Sequence, residues 1–187
     1  MDKGLIMCPT NNFNIDCYPV AGFAGLWGHE HPQDPHCVRS RTGYVIIFAG
    51  CPVLLVSKLQ TEITLSTTES EYIALSTSCK DLFPIMDLVQ EMGKYFGLPI
   101  DNTSHMHVWI HEDNVGALTL GNLEPRRITL RSKHYAIKYH WFREQLHNGP
   151  KKITLIKIAT AEQLGGIFTK GLTRVIFEKL RKKLMGW

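Results

Sequence analysis

The chain has 187 residues, of which 44% are hydrophobic, 20% charged and 10% aromatic. This excludes a disordered chain and suits a single domain with a sizeable core. The formal net charge is only +4, but residues 1–120 carry 6 Lys and Arg against 13 Asp and Glu, whereas residues 121–187 carry 15 against 4. An acidic front and a basic back point to a polyanion-binding surface.

In chain order, Met1-Asp2-Lys3-Gly4-Leu5 lacks the apolar run of a secretion signal. Ile15 to Phe23 is apolar enough for a strand, and a polar loop rich in His, Asp and Pro follows from Gly28 to Arg41. The β-branched runs Gly43–Phe48 and Val53–Ser57 flank Ala49-Gly50-Cys51-Pro52, which predicts a hairpin. The stretch Tyr44 to Val56 is broken by Gly50 and Pro52 and is too short to cross a bilayer.

Helical spacing then runs through Tyr72, Leu75, Cys79, Leu82, Met86, Val89 and Met92, with a kink or break expected at Pro84 and an end at Gly97 and Pro99. His107–His111 is an expected strand, and Asp113-Asn114 opens a short helix, Val115–Leu120. Ser132–His147 reads as a basic amphipathic helix with Tyr135, Tyr139 and Phe142 on one face. Ile153–Ile158 alternates as a strand, and Thr160–Leu172 and Ile176–Leu184 read as helices. Three strands in a row, then alternating helices and strands, predict an α/β domain: a mixed five-stranded sheet, three antiparallel strands followed by parallel additions, with helices packed on it. Five cysteines without a C-x-x-C pair read as reduced, mostly buried thiols of an intracellular protein.

Several words in the sequence are more specific. They are Ser40-Arg41-Thr42-Gly43-Tyr44, Ser57-Lys58-Leu59-Gln60, Ser66-Thr67-Thr68-Glu69-Ser70-Glu71-Tyr72 and Glu112-Asp113-Asn114. Ser132-Lys133-His134 with Tyr139-His140-Trp141-Phe142-Arg143-Glu144 follows, then Gln163-Leu164 with Ile167-Phe168-Thr169-Lys170. In this order they resemble the ribonuclease H domain of copia-type LTR retrotransposon Pol polyproteins, over roughly residues 4 to 187. The resemblance implies a ribonuclease H-like fold over residues 15–187 with a basic C-terminal helix at about 174–187. Residues 1–14 are then a remnant of the connection to reverse transcriptase.

It also implies cleavage of the RNA strand of RNA:DNA hybrids with Mg²⁺ or Mn²⁺, by two ions held about 4 Å apart on hard carboxylates. Carried over position by position, the helix glutamate of the family falls on Glu71 and the fourth-strand aspartate on Asp113. The first-strand aspartate falls on Val20, a second acidic position on Gly22, and the last aspartate on Gly166. Two of four carboxylates are therefore missing, and the expected copy is catalytically inactive or severely impaired. Asp16, about 13 Å from Val20 along a strand, is too far to substitute.

Plainer readings stand beside these. Thr68-x-x-Glu71 has the form of a capping box, and Asp113-Asn114 that of an N-cap. The cluster His29, Glu30, His31, Asp34, His36 and Cys37 lacks the second knuckle of a zinc site and reads as a solvated loop. His134 and His140 read as surface or packing residues. The basic residues Arg126, Arg127, Arg131, Lys133, Lys138 and Arg143 form the candidate nucleic-acid contact, which can outlive the lost aspartates. Expected partners are an RNA:DNA hybrid or other nucleic acid, and a reverse transcriptase of the same element, with no membrane. Expected locations are the cytoplasm, a virus-like particle or the nucleus. The alternatives to an impaired nuclease are a non-catalytic nucleic-acid-binding module and a non-functional transposon remnant.

Overall fold

A computed structural model describes residues 4–26, 34, 37–100, 106–125, 127, 139–149 and 152–187. Its five-stranded sheet has the order β3-β2-β1-β4-β5, with β1 Ile15–Gly22, β2 Arg41–Phe48, β3 Cys51–Leu59, β4 Val108–Glu112 and β5 Ile153–Lys157. The first three strands are antiparallel, and β4 and β5 add in parallel beyond β1. This is the expected mixed sheet, an arrangement compatible with a ribonuclease H-like fold. The β2–β3 hairpin turns on Ala49 and Gly50, at φ 49° and 80°. Positive φ at both central residues matches the twist of the flanking strands.

On one face of the sheet lies α1, Thr67–Phe96. Its stripe Tyr72, Leu75, Cys79, Leu82, Met86 and Val89 is buried against Ile15, Cys17, Ile46, Val108 and Ile110. Two details differ from expectation. The helix runs through Pro84 without a break: both Pro84 and Lys80, whose carbonyl the proline leaves without its amide, are on the exposed side. Met92 is exposed, because the last turns overrun the sheet. The helix ends at Gly97 in the left-handed region, as expected.

Two shorter helices, α2 Val115–Asn122 and α3 Phe142–Asn148, pack near the same core. The expected helix Ser132–His147 is described only from Tyr139, where a turn leads into α3; Tyr135, His134, Arg131, Lys133 and Lys138 lie outside the described residues, as does Arg126. Most of the His-rich loop does so too.

On the opposite face, Val45, Ile47, Leu164, Leu180 and Leu184 form a second cluster. It is covered by α4, Arg174–Met185, and by two 3-10 turns, Thr160–Glu162 and Leu164–Phe168. The expected α-helix over 160–172 is thus replaced by tight turns. The cause is close approach to the sheet: a Cβ on Gly165 would lie 2.4 Å from the Tyr18 carbonyl oxygen and 2.8 Å from Val20 Cγ1. Residues preceding β1 are tied down at both ends. Thr10 N–H donates to the Ala49 carbonyl and Ile6 N–H to that of Met185. All five cysteines are free, and all but Cys8 are buried. Among the described residues no helix is long and apolar enough to cross a membrane.

Arg143 corrects an expectation. It is only 1% exposed, and its guanidinium donates to the carbonyls of Pro125 and Arg127 at 3.1 Å and of Leu120 at 3.5 Å. A planar fork with several donors suits three carbonyls where an ammonium does not. Arg143 therefore clamps the segment after α2 onto α3 and is not part of an open phosphate-binding face. Arg143→Met is expected to cost about 2–4 kcal/mol in urea unfolding by stranding those carbonyls, with Arg143→Lys recovering less than half.

Candidate functional site

The site forms where two neighbouring strands part. Strands β1 and β4 pair only over Ile15–Cys17 and Val108–Ile110. Beyond that, the Gln163 amide nitrogen donates to the Pro19 carbonyl at 2.9 Å and the His111 carbonyl at 2.8 Å, bridging the gap. Pro19 belongs in this place. A residue's N–H and C=O leave a strand on the same side, so the amide it lacks would have faced the split, where no strand could accept it.

Three carboxylates gather at this end of the sheet. Glu71, Glu112 and Asp113 each bring a ligand atom within 4.8 Å of the others. Glu71 comes from the second turn of α1 and is 8% exposed. Its Oε2 accepts the Ala21 amide at 2.6 Å, next to Val20. The capping role is filled elsewhere: Ser66 accepts from the Glu69 amide, and Glu69 accepts from that of Leu65. The capping box is therefore Ser66-x-x-Glu69, not Thr68-x-x-Glu71, and Glu71 is left to the site. At α2 the cap is Asn114, whose side chain accepts from the Ala117 amide at 3.0 Å, which leaves Asp113 free of that duty.

Glu112 is the residue that sequence reasoning missed. Ending the strand at His111 put it in a turn. The strand runs one residue further, and alternation from Val108 and Ile110 carries Glu112 onto the buried face, where it is fully enclosed. That period-of-two pattern was the available signal. One oxygen, Oε1, accepts the Asn114 amide at 3.0 Å; Oε2 of Glu112 and Oδ1 of Asp113 are buried with no hydrogen-bond partner.

The positions at which the resemblance implies further carboxylates are equally well located. Val20 is fully buried on β1, and Gly166 sits in the second 3-10 turn. A Cβ at Gly166 would meet only Lys170 Cε, at 3.9 Å, so the position is vacant rather than filled. Gly22 is different: a Cβ there would lie 2.5 Å from the Thr169 carbonyl oxygen, so the backbone has closed over the second acidic position. Asp16 takes no part in the cluster and instead meets His111 Nε2 at 2.6 Å. His140 is a packing residue, its Nδ1 at 2.7 Å from the Tyr72 hydroxyl.

Crowding sets the electrostatics. Burial, then the Asp113 carboxylate, pushes the Glu71 carboxyl up to about 8, against the opposing pull of the Ala21 amide and Lys170. Burial and the Glu71 carboxylate hold Glu112 well above the ordinary carboxylate range. Hard oxygen donors with two stranded oxygens suit one divalent cation of the Mg²⁺ type.

The site thus belongs to an α/β domain with an acidic cluster at the C-terminal ends of two diverging strands. The comparisons show that the chain belongs to the family of retrovirus-related Pol polyproteins from transposons, the coarser part of what the sequence words imply. The chain is 30% identical over 183 residues, 98% of its length, to "Retrovirus-related Pol polyprotein from transposon RE2" of Arabidopsis thaliana. It is 32% identical over 148 residues, 79% of its length, to "Retrovirus-related Pol polyprotein from transposon TNT 1-94" of Nicotiana tabacum. A third relative, "Retrovirus-related Pol polyprotein from transposon RE1" of Arabidopsis thaliana, is 28% identical over 183 residues, again 98% of the chain. The matched region is 11%, 10% and 11% of these three polyproteins, so the chain spans about a tenth of their length. No protein-family model matches the chain.

Because burial and neighbouring charge raise the Glu71 carboxyl from 4.5 to about 8 in the folded chain, its contribution to stability is complete below pH 4.5 and is lost as pH rises to about 8, and the raised Glu112 acts in the same direction. Glu71→Gln keeps an acceptor for Ala21 and carries no charge. In urea titrations it is expected to match the wild type near pH 5 and to exceed it by a few kcal/mol at pH 8, at about 1.4 kcal/mol per unit of raised pKa.

Proposed function

We propose that this chain is the ribonuclease H-like domain of a copia-type retrotransposon Pol polyprotein, one that still engages nucleic acid but no longer cuts it. The observation that carries the reading is the lopsided acidic site. Glu71, Glu112 and Asp113 converge from α1 and the end of β4, and the resemblance puts the remaining carboxylates at Val20 on β1 and Gly166 in the 3-10 turn. Glu71, Glu112 and Asp113 are the residues to hold a divalent ion. When bound, such ions supply an activated water and charge stabilisation at the leaving oxygen of a phosphodiester. The chain's own part is to fix three oxygens from two elements, with Gln163 holding the split open and the Ala21 amide orienting Glu71.

Val20 sets an apolar isopropyl group beside Gly165, at a position where the resemblance implies a carboxylate that would help to hold an ion. Losing even an outer partner of a metal ligand costs about 10–100-fold, so two lost ligands put cleavage below detection. The RNA:DNA hybrid, the reverse transcriptase of the same element, and a cytoplasmic, nuclear or particle location all follow from the Pol reading and belong to this proposal.

The test is cleavage of the RNA strand of a labelled hybrid with Mg²⁺ or Mn²⁺. The wild type is expected to give none, and Val20→Asp with Gly166→Asp to restore measurable cutting that Glu71→Gln then abolishes. Cutting by the wild type that depends on Glu71 contradicts the loss of activity. A folded Val20→Asp/Gly166→Asp variant that binds the hybrid and leaves it intact contradicts the nuclease ancestry of the site.

A further inference from the structure

The second half of the chain carries the cations, yet the structure employs many of them internally. Arg143 is buried, Lys179 and Lys183 both pair with Glu162, and the Arg181 guanidinium lies 4.4 Å from the centre of the Trp187 ring. Residues 1–120, by contrast, hold only six Lys and Arg, and four of them gather in one place. Arg39 and Arg41 line a cleft of about 390 Å³ together with Thr169 and Lys170. Lys58 and Lys80 line an adjoining cleft of about 260 Å³, and Leu59 forms a wall of both.

The first cleft has the marks of an anion site. The Arg39 Nε–H and the Thr169 hydroxyl are buried and have no hydrogen-bond partner, and Thr169 is 8% exposed. Lys170 is exposed, and no described carboxylate lies within ion-pair distance of it. The wall is fixed: the Ser57 hydroxyl donates to the Phe168 carbonyl at 2.7 Å, and Arg41 reaches Ser57 Oγ at 3.4 Å. Among the described residues, no acidic side chain lines either cleft. Uncompensated cations in a concave, partly desolvated setting attract a multivalent oxyanion with several acceptors. Two such clefts sharing a wall favour a chain of phosphates over a single ion.

We propose that Arg39, Arg41, Thr169 and Lys170 form a phosphate subsite for the backbone of a nucleic-acid strand, continued by Lys58 and Lys80 in the neighbouring cleft. Lys170 links the subsite to the acidic site, since its charge also acts on Glu71. A strand held here has its backbone led toward the parting of β1 and β4. The inference rests on the nucleic-acid reading above and gives it an address on the acidic half of the sequence.

The test is fluorescence anisotropy with a short labelled RNA:DNA hybrid, titrated at several salt concentrations without divalent metal. Arg39→Gln/Arg41→Gln and, separately, the exposed Lys170→Gln are compared with Arg174→Gln/Lys182→Gln on α4 as a control. The expected result is about a tenfold or greater loss for the first variant and a smaller loss for the second. The slope of log affinity against log salt should shrink by about one per phosphate contact removed, with the control unchanged. Lys170→Gln, at an exposed side chain, keeps the test decisive if the double variant does not fold.

A wild type that binds while both pocket variants bind equally well overturns the subsite and leaves the nucleic-acid reading standing. A wild type that binds no hybrid or single strand overturns both. Displacement of the hybrid by poly-glutamate at equal charge overturns the choice of a phosphate chain.

Discussion

The carboxamide of Gln163 spans the gap between the Pro19 and His111 carbonyls, and the arrangement around the site depends on it. Two parallel strands that paired along their whole length would carry Val20 and Asp113 away side by side, with no space between them. Here pairing stops after Cys17 and Ile110. The two backbone carbonyls left over are buried and need a donor. One glutamine supplies both bonds, while its oxygen faces the Gly165 amide at 3.4 Å and so seats the 3-10 turn over the opening. The turn brings Gly166, Thr169 and Lys170 to the site, and Ala21 turns its amide to Glu71.

With that frame in place, the three positions at which the resemblance implies aspartates differ from one another. Val20 is built into the packing of the turn, and Gly22 lies beneath the Thr169 carbonyl, whereas Gly166 is simply empty. The retained carboxylates are left in a costly state. Glu112 is enclosed, with one oxygen unpartnered, and Glu71 is held partly protonated by burial and by Asp113. A cluster of like charges in a desolvated setting favours protons or a cation. Lys170, which opposes the shift of Glu71, supplies part of that compensation from the protein itself.

Much of this was legible from the residues. The β-branched runs around Ala49-Gly50, the stripe from Tyr72 to Val89 and the alternation of Ile153–Lys157 each appear as expected, because local periodicity and tertiary burial agree there. Glu71 and Asp113 were identified through resemblance, and their meeting with Glu112 depends on strand register. Glu112 lay one residue beyond a strand end, the kind of boundary that sequence periodicity fixes poorly. The turns at 160–168 escaped because glycine packing against Tyr18 and Val20 is a contact across about 145 residues. Arg143 was misread for a related reason. Charge composition does not distinguish an arginine facing solvent from one satisfied by three carbonyls.

The charge split also takes on a different meaning. Its basic half is partly structural, and four of the six cations of the acidic half line two adjoining clefts. On the function proposed above, Glu71, Glu112 and Asp113 hold one divalent ion and not a catalytic pair. Titration of the purified chain with Mn²⁺, followed by the electron paramagnetic resonance of the free ion, tests this most directly. The account predicts one bound ion per chain, lost in Asp113→Asn and in Glu112→Gln. Two ions bound to the wild type, or one that survives both substitutions, would contradict it.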